Sequence, residues 1–460
     1  MTVLLAPPAR KPGSARRPTR QGQRYLIRTF GCQMNEHDSE RIAGMLVSDG
    51  MIATHDPESA DVLFINTCTI REAADNRLYG NLGQLKPWKD RHPGALLVVG
   101  GCAAQKDREL VRERAPWVDV VMGTNNLDRI LDLIDYAQAW GGVTEVVDEM
   151  EAMPSSLPVR RELVHSAWVS IQVGCNNTCT FCIVPAVRGP EISRRPGDVI
   201  SEVRSLAARG TVEITLLGQN VDTYGRDLAL DGRRRPLFAD LLRQVGSVEG
   251  ISRVRFTSPH PADFRPEVAK AMAETAAVCE QLHLPLQSGS DRVLAAMHRG
   301  YTTARYREKL AMARETIPGL SVSTDIIVGF PGESDEDFSA TLDVVEECRF
   351  DQAFTFIFSP RAGTRAAEMT DRFVPSQTIQ DRFNRLVELQ SRISLEKNRE
   401  LVGSVVEVLA EGPSKKDPAV AAARTRGGKV VHLPGSFPPG TVLEARIAAA
   451  APHHLLGNPV

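Results

Sequence analysis

Three cysteines that follow three predicted strands at nearly equal intervals restrict the fold of this chain most strongly. Cys32, Cys68 and Cys102 are 36 and 34 residues apart, about the length of one βαβ unit. Parallel strands would carry them to one sheet edge, the place where open α/β sheets bind ligands. The pattern predicts an open, flavodoxin-like α/β sheet on which three thiols converge. The predicted strands are Tyr25 to Phe30, Val62 to Ile65 and Leu96 to Val99.

A second alternation of strands and helices follows from about His165 to Gln390. Six strand–helix units predict a partial TIM-like barrel, whose functional groups belong at the C-terminal ends of its strands. The candidate strands are Ala167 to Val173, Glu213 to Leu217, Arg253 to Thr257, Leu282 to Leu286, Ser323 to Val328 and Ala353 to Phe358.

The length of 460 residues predicts several domains, because one domain typically takes about 150 residues. Gln377 to Val402 reads as a long helix, and Val405 to Ala450 as short strands of a small β-barrel. We predict a disordered basic tail over 1–24, an N-terminal domain over 25–150, a barrel domain over 161–395 and a terminal domain over 396–460.

Composition narrows the functional classes. The formal charge of −2 gives no global attraction for a polyanion, so nucleic acid would need local basic patches. The longest uncharged apolar run, Ala95 to Ala104, is about half of the roughly 20 residues that cross a bilayer. No secretory signal is evident, so we expect a cytoplasmic protein without a membrane partner. Eight cysteines in such a chain indicate metal ligands or redox groups.

The sequence Cys175-Asn176-Asn177-Thr178-Cys179-Thr180-Phe181-Cys182 is the strongest chemical signal. It directly follows the first barrel strand and offers three thiolates. Structural zinc needs a fourth ligand, and no Cys or His occurs between Cys182 and Pro259. A 4Fe-4S cluster accepts three protein ligands and leaves one iron open to a reactant.

This loop resembles the signature of the radical S-adenosylmethionine (SAM) superfamily. The resemblance implies that the open iron chelates SAM and that one-electron reduction cleaves SAM to methionine and a 5′-deoxyadenosyl radical. With Cys32, Cys68 and Cys102, the chain resembles the methylthiotransferases, which implies a second, auxiliary 4Fe-4S cluster that holds the sulfur to be inserted. Further matching runs are Gly31 to Asn35, Asn66 to Cys68, Gly101 to Gln105, Arg188 to Arg194, Leu217 to Val221 and Gly329 to Glu333.

The substrate is also implied by resemblance. Gln33-Met34 and the run Cys179 to Pro185 are most similar to members that methylthiolate carbon 2 of an isopentenylated adenosine next to the tRNA anticodon. This implies tRNA, a low-potential electron donor and a sulfur donor as partners of a monomeric enzyme, with one SAM as methyl donor and another as radical source. Ser258-Pro259-His260-Pro261 departs from the family, which more often has His directly after Ser.

Two kinds of alternative stay open. The same chemistry on another target would modify threonylcarbamoyladenosine in tRNA or an aspartate of a ribosomal protein. A different class would be a non-catalytic RNA-binding protein with structural zinc.

Contacts to SAM and RNA are the least specific predictions. Gln219 occupies the place where radical SAM enzymes contact the methionine amino group, and Ser288 and Gly329 the places near ribose or adenine. Gly329 to Glu333 also fits a plain tight turn. Glu191, Arg194 and Arg195 could reach SAM or a substrate phosphate, or simply be solvated. The stretch from Ala423 to Val431 resembles the RNA-binding TRAM domain, whose basic residues here are Lys415, Lys416, Arg424, Arg426, Lys429 and Arg446.

Overall fold

The computed structural model describes residues 19–69, 72–148, 150, 153, 157–161, 163–228 and 235–460. These residues form two compact units. The first unit comprises the chain up to residue 162 together with Val173–Asn177 and Cys182–Arg194, and the second comprises Leu163–Gln172, Thr178–Phe181 and the remainder from Arg195. Within the described residues, no helix is long and apolar enough to cross a membrane.

The first unit is built on a six-stranded parallel sheet, so the predicted open α/β fold is confirmed. Its strand order, β2-β1-β3-β4-β5-β6, begins as the flavodoxin-like order 2-1-3-4-5 does. The strands are β1 (Arg24–Phe30), β2 (Ile52–Ala53), β3 (Val62–Thr67), β4 (Leu96–Gly101), β5 (Val120–Met122) and β6 (Val143–Glu145). The helices are α1 (Gln33–Ser48), α2 (Glu72–Arg91), α3 (Cys102–Asp107), α4 (Leu110–Arg114) and α5 (Ile130–Trp140).

Alternating side chains of the central strands fill two separate cores, one on each face of this sheet. Phe64 and Val98 pack with α1 and α5 residues, whereas Leu63, Ile65 and Leu97 pack on the opposite face. Because both faces are covered, β3 and β4 are buried along their whole length and read as continuous apolar runs. The sequence prediction missed β2, β5 and β6, which have only two or three residues each.

The predicted basic tail over 1–24 extends too far into the chain. Residues 1–18 lie outside the described residues, but Arg20 is buried and forms ion pairs with Asp49 and Asp135. The Thr19 amide also donates to Asp49 Oδ1 at 3.2 Å. Carboxylates that are distant in sequence hold this segment in the folded unit, which a count of local basic residues could not reveal.

Short elements lead from the sheet into the barrel. They are β7 (Ser166–Ser170), β8 (Gln172–Val173), α6 (Val184–Arg188), β9 (Ile192–Ser193) and α7 (Pro196–Ala207). Strand β7 belongs to the second unit, whereas α6 and β9 belong to the first.

The second unit contains the predicted partial barrel, as two groups of three parallel strands in the orders β11-β10-β7 and β12-β13-β14. Its further strands are β10 (Glu213–Leu217), β11 (Arg253–Phe256), β12 (Gln281–His283), β13 (Ser321–Val328) and β14 (Gln352–Ile357). Its helices are α8 (Phe238–Gly246), α9 (Pro266–Glu274), α10 (Asp291–Ala296), α11 (Thr303–Thr316) and α12 (Asp335–Cys348). Strand β12 is shorter than predicted because Pro285 has no amide hydrogen to continue the ladder.

A long helix, α13 (Ser376–Arg399), precedes a closed five-stranded barrel, so the predicted small β-barrel is confirmed. Its strands are β15 (Val405–Pro413), β16 (Val420–Thr425), β17 (Val430–Pro434), β18 (Val442–Ala450) and β19 (Leu455–Pro459). The predicted domain boundary at 395/396 falls inside α13. Five 3-10 helices complete the described elements, at Pro57–Ser59, Thr124–Arg129, Val221–Thr223, Arg365–Glu368 and Thr370–Arg372.

Candidate active site

The three strand-end cysteines lie at one edge of the parallel sheet. The register aligns Phe30 with Thr67 and Thr67 with Gly101, which are the residues at the ends of β1, β3 and β4. Cys32 therefore starts the turn into α1, Cys68 follows β3 and Cys102 opens α3. A hydrogen bond between the Cys32 and Cys68 thiols lowers the pKa of Cys32, and burial raises the pKa of Cys102. The structure thus places the three cysteines at one edge of the sheet, as the spacing predicted.

Two glycines allow these turns to approach each other closely. A Cβ on Gly31 would lie 2.9 Å from the Cys68 Cβ, and one on Gly101 would lie 2.3 Å from Asn66 Oδ1. Gly101 also has a φ of +92°, which disfavours any side chain. Asn35 braces the same edge, since its Nδ2 donates to Asn66 Oδ1 at 3.0 Å. The glycine before Cys32 and the glycine before Cys102 are therefore needed for the close approach of the two turns to their neighbours.

An arginine that the sequence reasoning did not select lies beside these thiols. Arg188, at the end of α6, is buried and donates to Asp38 Oδ2 at 2.8 Å. Burial opposes its charge, yet Cys102, Asp38 and Cys32 raise the pKa of Arg188, so it stays a cation. We call Cys32, Cys68, Cys102, Arg188 and Asp38 the sheet-edge group.

The donor chemistry of the sheet-edge group fits a cluster better than a single ion. Within the described residues, no three Cys, His, Asp or Glu side chains converge closely enough to hold one metal ion. Zinc needs four ligands around one centre, whereas the thiolates of a 4Fe-4S cluster bind different corners of a larger unit. Three half-buried or buried thiols, with a guanidinium against them, suit such an anionic unit.

The loop with Cys175, Cys179 and Cys182 keeps all three thiols partly accessible. In the first unit, the Cys175 amide donates to the Gly189 carbonyl at 3.1 Å, and the Glu191 amide donates to Asn176 Oδ1 at 3.1 Å. In the second unit, the Thr180 amide and hydroxyl donate to the carbonyls of Met297 and Ala296. Hydrogen bonds therefore hold the start of this loop within the first unit and Thr180 within the second unit.

A second buried arginine contacts this loop. Arg299 Nη1 lies 3.2 Å from Cys179 Sγ, and its Nε donates to the Tyr301 hydroxyl at 3.2 Å. The Tyr301 hydroxyl in turn lies 2.9 Å from the carbonyls of Pro285 and Leu286. Sequence reasoning missed Arg299 because it lies 120 residues after Cys179, with no motif to join them.

Unsatisfied polar atoms collect at the C-terminal ends of the barrel strands. Each of them is a buried side-chain acceptor or ring nitrogen without a hydrogen-bond partner in the described structure, and such groups are rare unless a ligand or water satisfies them. They are Gln172 Oε1, Gln219 Oε1, Asn220 Oδ1, Asp222 Oδ1, His260 Nε2 and Gln287 Oε1. This end of the barrel therefore fits a polar ligand such as SAM, and Gln219, which was predicted to contact SAM, is among these residues.

The other two predicted SAM contacts have structural partners. The Ser288 hydroxyl accepts from the Ser290 amide at 3.2 Å, and the Gly329 amide donates to Glu333 Oε1 at 3.1 Å. A Cβ on Gly329 would lie 2.6 Å from Ile379 Cγ1, and its φ is +76°, so packing and backbone conformation both require glycine in this turn without any ligand. A SAM-binding role of Ser288 and Gly329 stays a prediction.

Of the charged residues after the loop, Glu191 and Arg194 are buried and Arg195 is exposed. Glu191 Oε1 accepts from the Asn176 amide at 3.4 Å, which gives this residue a part in holding the loop. Cys279 and Cys348 are buried, and burial raises the pKa of both thiols.

Asp222 and His260 extend this polar region. Asp222 Oδ2 accepts from the His260 amide at 2.9 Å, and burial raises the pKa of Asp222 to about 7. Burial also lowers the pKa of His260 to about 3, with a further contribution from Arg299, so the imidazole is neutral. We call Cys179, Arg299, Tyr301, His260 and Asp222 the barrel-end group.

Three family models match successive parts of the chain. Residues 24–123 match the model described as "Uncharacterized protein family UPF0004", 169–345 the radical SAM superfamily and 399–460 the TRAM domain. A tRNA-2-methylthio-N(6)-dimethylallyladenosine synthase of Nocardia farcinica is 53% identical over 445 residues, 94% of this chain and 88% of that protein. The chain belongs to this synthase family. A synthase of Saccharopolyspora erythraea is 52% identical over 94% of this chain and 89% of its own.

The family assignment makes the chain a methylthiotransferase of the radical SAM superfamily, as the cysteine motifs predicted. The fold agrees with that of a solved radical SAM methyltransferase, TsrM from Kitasatospora setae. The TM-score is 0.54 at 15% identity, over 75% of this chain and 77% of that one. At this identity the likeness concerns the fold alone.

In the family's TRAM region, three of the six predicted RNA-contacting basic residues form ion pairs within the protein. Arg424 pairs with Glu411 at 2.6 Å, Arg426 with Glu280 at 2.8 Å and Lys429 with Asp351 at 2.9 Å. Arg426 also donates to the Val278 carbonyl, and therefore fixes the small barrel to the start of β12. Lys415 and Lys416 lie in the exposed turn between β15 and β16 and keep their charges at the surface.

Proposed function

We propose that this chain transfers a methylthio group to carbon 2 of N(6)-dimethylallyladenosine in tRNA and uses two 4Fe-4S clusters and SAM to do so. The observation that carries the proposal is the second trio of thiols at the sheet edge. A radical SAM enzyme that only abstracts hydrogen needs the loop cysteines alone, whereas sulfur insertion needs a place that holds sulfur. The synthase relatives, which match almost the whole chain, support the substrate.

The proposed roles follow the two groups. Cys175, Cys179 and Cys182 hold the SAM-binding cluster, and Cys32, Cys68 and Cys102 hold the auxiliary cluster. When bound, the first cluster and SAM supply the 5′-deoxyadenosyl radical, and the second cluster holds the sulfur and its methyl group. Gln219, Ser288 and Gly329 position SAM, and the apolar barrel core below them excludes water from the radical chemistry.

The substrate base is unpaired in the anticodon loop, so it can be splayed into a buried site at little unstacking cost. The terminal barrel would contact the tRNA backbone through Lys415 and Lys416. A tRNA-modifying reaction occurs where tRNA is, so we infer that the enzyme works in the cytoplasm. A monomeric state, a low-potential electron donor and a separate sulfur donor stay part of the proposal.

Anaerobic reconstitution with iron and sulfide, followed by reaction with SAM, dithionite and isopentenylated tRNA, tests the function. We expect about eight irons per chain, from two four-iron clusters, and the 2-methylthio-isopentenyl nucleoside by mass spectrometry of digested tRNA. Methylthiolation of threonylcarbamoyladenosine or of a ribosomal-protein aspartate, tested in parallel, would overturn the substrate. One or two zincs and no iron would overturn the enzymatic proposal.

Replacing Lys415 and Lys416 together with Gln tests the tRNA contact. Each lost phosphate contact reduces the slope of log K against log[salt] by about 0.7 to 0.9, so we expect weaker binding and a slope smaller by about 1.5. Filter binding across a salt series measures both. Arg424→Gln is the control, because Arg424 is paired with Glu411 inside the small barrel and its loss should leave the salt slope unchanged. Equal slopes for the double variant and the wild type would exclude this turn as an RNA contact.

A further inference from the structure

Arg299 is a buried cation whose hydrogen-bond partners in the described structure are a thiol and a phenol rather than a carboxylate. Its guanidinium bonds to Cys179 Sγ and the Tyr301 hydroxyl, and its charge lies 5.5 Å from the centre of the Tyr301 ring. Within the described part of the chain, no carboxylate forms an ion pair with it. A buried guanidinium without a counter-charge is strongly unfavourable, so this position implies an anion.

Five other buried arginines of the described chain each have a carboxylate within ion-pair distance. The pairs are Arg20 with Asp49, Arg188 with Asp38, Arg253 with Glu407, Arg255 with Glu213 and Arg382 with Glu333. Arg299 departs from this pattern at the place where it meets a predicted cluster ligand.

The arm that carries Arg299 is held firmly against the loop. Thr180, the residue after Cys179, donates to the carbonyls of Met297 and Ala296, which lie two and three residues before Arg299 in the chain. Tyr301, two residues further on, is anchored at Pro285 and Leu286. Both sides of the Arg299–Cys179 contact are therefore fixed by the barrel, and the distance between guanidinium and thiol does not depend on a flexible surface side chain.

We propose that Arg299 is the fixed counter-cation of the SAM-binding cluster, a positioning residue that holds Cys179 and makes the cluster easier to reduce. The inference rests on the proposed function, because it needs a cluster at Cys179. Reduction adds one electron, from a low-potential one-electron donor, and no proton, so the reduced cluster is more negative by one charge. A fixed positive charge and a hydrogen bond to a ligand sulfur favour that state and raise the potential.

The test is a redox titration with dithionite of the reconstituted full-length protein, monitored by electron paramagnetic resonance. The signal that changes when SAM is added identifies the SAM-binding cluster and separates it from the auxiliary one. We expect Arg299→Met to shift the midpoint of this signal to more negative potential by about 59 mV or more, which corresponds to a tenfold weaker reduction equilibrium. Arg299→Lys keeps the charge and should recover at least half of the shift.

Arg307→Met is the matched control, because it removes the same charge from an accessible pair between Arg307 on α11 and Glu347 on α12 and should leave the midpoint unchanged. An iron-loaded Arg299→Met protein with the wild-type midpoint would overturn the inference alone. If Arg299→Met does not retain the SAM-binding cluster, the Arg299→Lys variant decides. A cluster retained in Arg299→Lys, with a midpoint potential near that of the wild type, supports the inference. Equal loss of the cluster in both variants overturns the inference in favour of a purely structural role. Wild-type protein without a SAM-responsive signal would instead overturn the proposed function.

Discussion

The sheet-edge group and the barrel-end group each place a buried arginine against a predicted cluster ligand, but they balance charge in opposite ways. At the sheet edge, Arg188 is paired with Asp38 at 2.8 Å. At the barrel end, Arg299 has no carboxylate partner, and the equally buried Asp222 has no cation partner among the described residues. In the sheet-edge group the buried cation is balanced by a carboxylate of the protein, whereas the barrel-end group holds a cation and an acid that are not paired with each other.

This difference suits two tasks. A self-compensated arginine keeps the sheet edge stable whether or not an iron–sulfur unit is bound. Unpaired polar and charged groups cost folding free energy, and proteins retain them where a ligand or a reaction uses them. The unsatisfied atoms of Gln219, Asn220, Asp222 and His260 belong to the same barrel end, where the proposed function places SAM.

Substitution of single cysteines should have the largest effect on activity and should distinguish the roles of the two groups. Cys179→Ala should abolish formation of 5′-deoxyadenosine, because it removes a ligand of the cluster that cleaves SAM. Cys68→Ala should leave this cleavage in place and abolish the methylthiolated nucleoside, because it removes the site that holds sulfur. Chromatography of both products from one reaction measures the two activities together.

Cys279→Ala is the control for loss of a buried thiol, since Cys279 is a core residue remote from both predicted trios in sequence. It should keep both products. Methylthiolated nucleoside from Cys68→Ala would remove the auxiliary cluster from the reaction, and 5′-deoxyadenosine from Cys179→Ala would contradict the assignment of the loop.

Asp38→Asn should make the sheet edge resemble the barrel end. Loss of the carboxylate leaves Arg188 buried without a partner, which typically costs about 3–5 kcal/mol. We expect urea unfolding of the iron-free protein to show this loss. Iron loading should reduce it, because an anionic cluster at Cys102 and Cys32 would supply the missing negative charge.

Asp90→Asn is a control for loss of an accessible pair. Asp90 lies 2.9 Å from Lys86 on the surface of α2, where such pairs contribute about 0–1 kcal/mol. If Asp38→Asn were as mild as Asp90→Asn, the charge balance at the sheet edge would not depend on the Arg188–Asp38 pair.

Sequence patterns predicted those residues of both groups that short motifs and regular spacing along the chain identify. Strand-end cysteines at βαβ spacing indicated the sheet edge, and the register of Phe30, Thr67 and Gly101 confirms that they share it. The loop from Cys175 to Cys182 is contiguous and needed no fold to be recognised. Short strands such as β5 and β6 were missed because three residues carry too little periodicity.

The partners of the cysteines could not be predicted in this way. Arg188 meets Asp38 across 150 residues, and Arg299 meets Cys179 across 120. Both contacts arise only when distant strands and helices are assembled, and an isolated arginine in a sequence is more often solvated. The small barrel shows the same limit of sequence patterns. Its basic composition predicted RNA contacts, but the structure has ion pairs at Arg424, Arg426 and Lys429.

The pH dependence of stability gives the smallest and most selective test of the barrel end. Burial raises the pKa of Asp222 to about 7, above its value near 4 in the unfolded chain. Its contribution to stability is therefore complete below pH 4 and is lost as the pH rises through 7, by about 3 kcal/mol between pH 5 and 8. The side chain introduced by Asp222→Asn cannot ionise, so the unfolding free energy of this variant relative to the wild type should increase by that amount over this range.

Asp263→Asn is the control. Hydrogen bonds from Asn220 and Arg226 outweigh desolvation and lower the pKa of Asp263, so the difference in unfolding free energy between this variant and the wild type should not grow between pH 5 and 8. A flat difference for Asp222→Asn would mean that water or a cation already reaches this carboxyl, and the contrast with Asp38 would then be one of access rather than of charge.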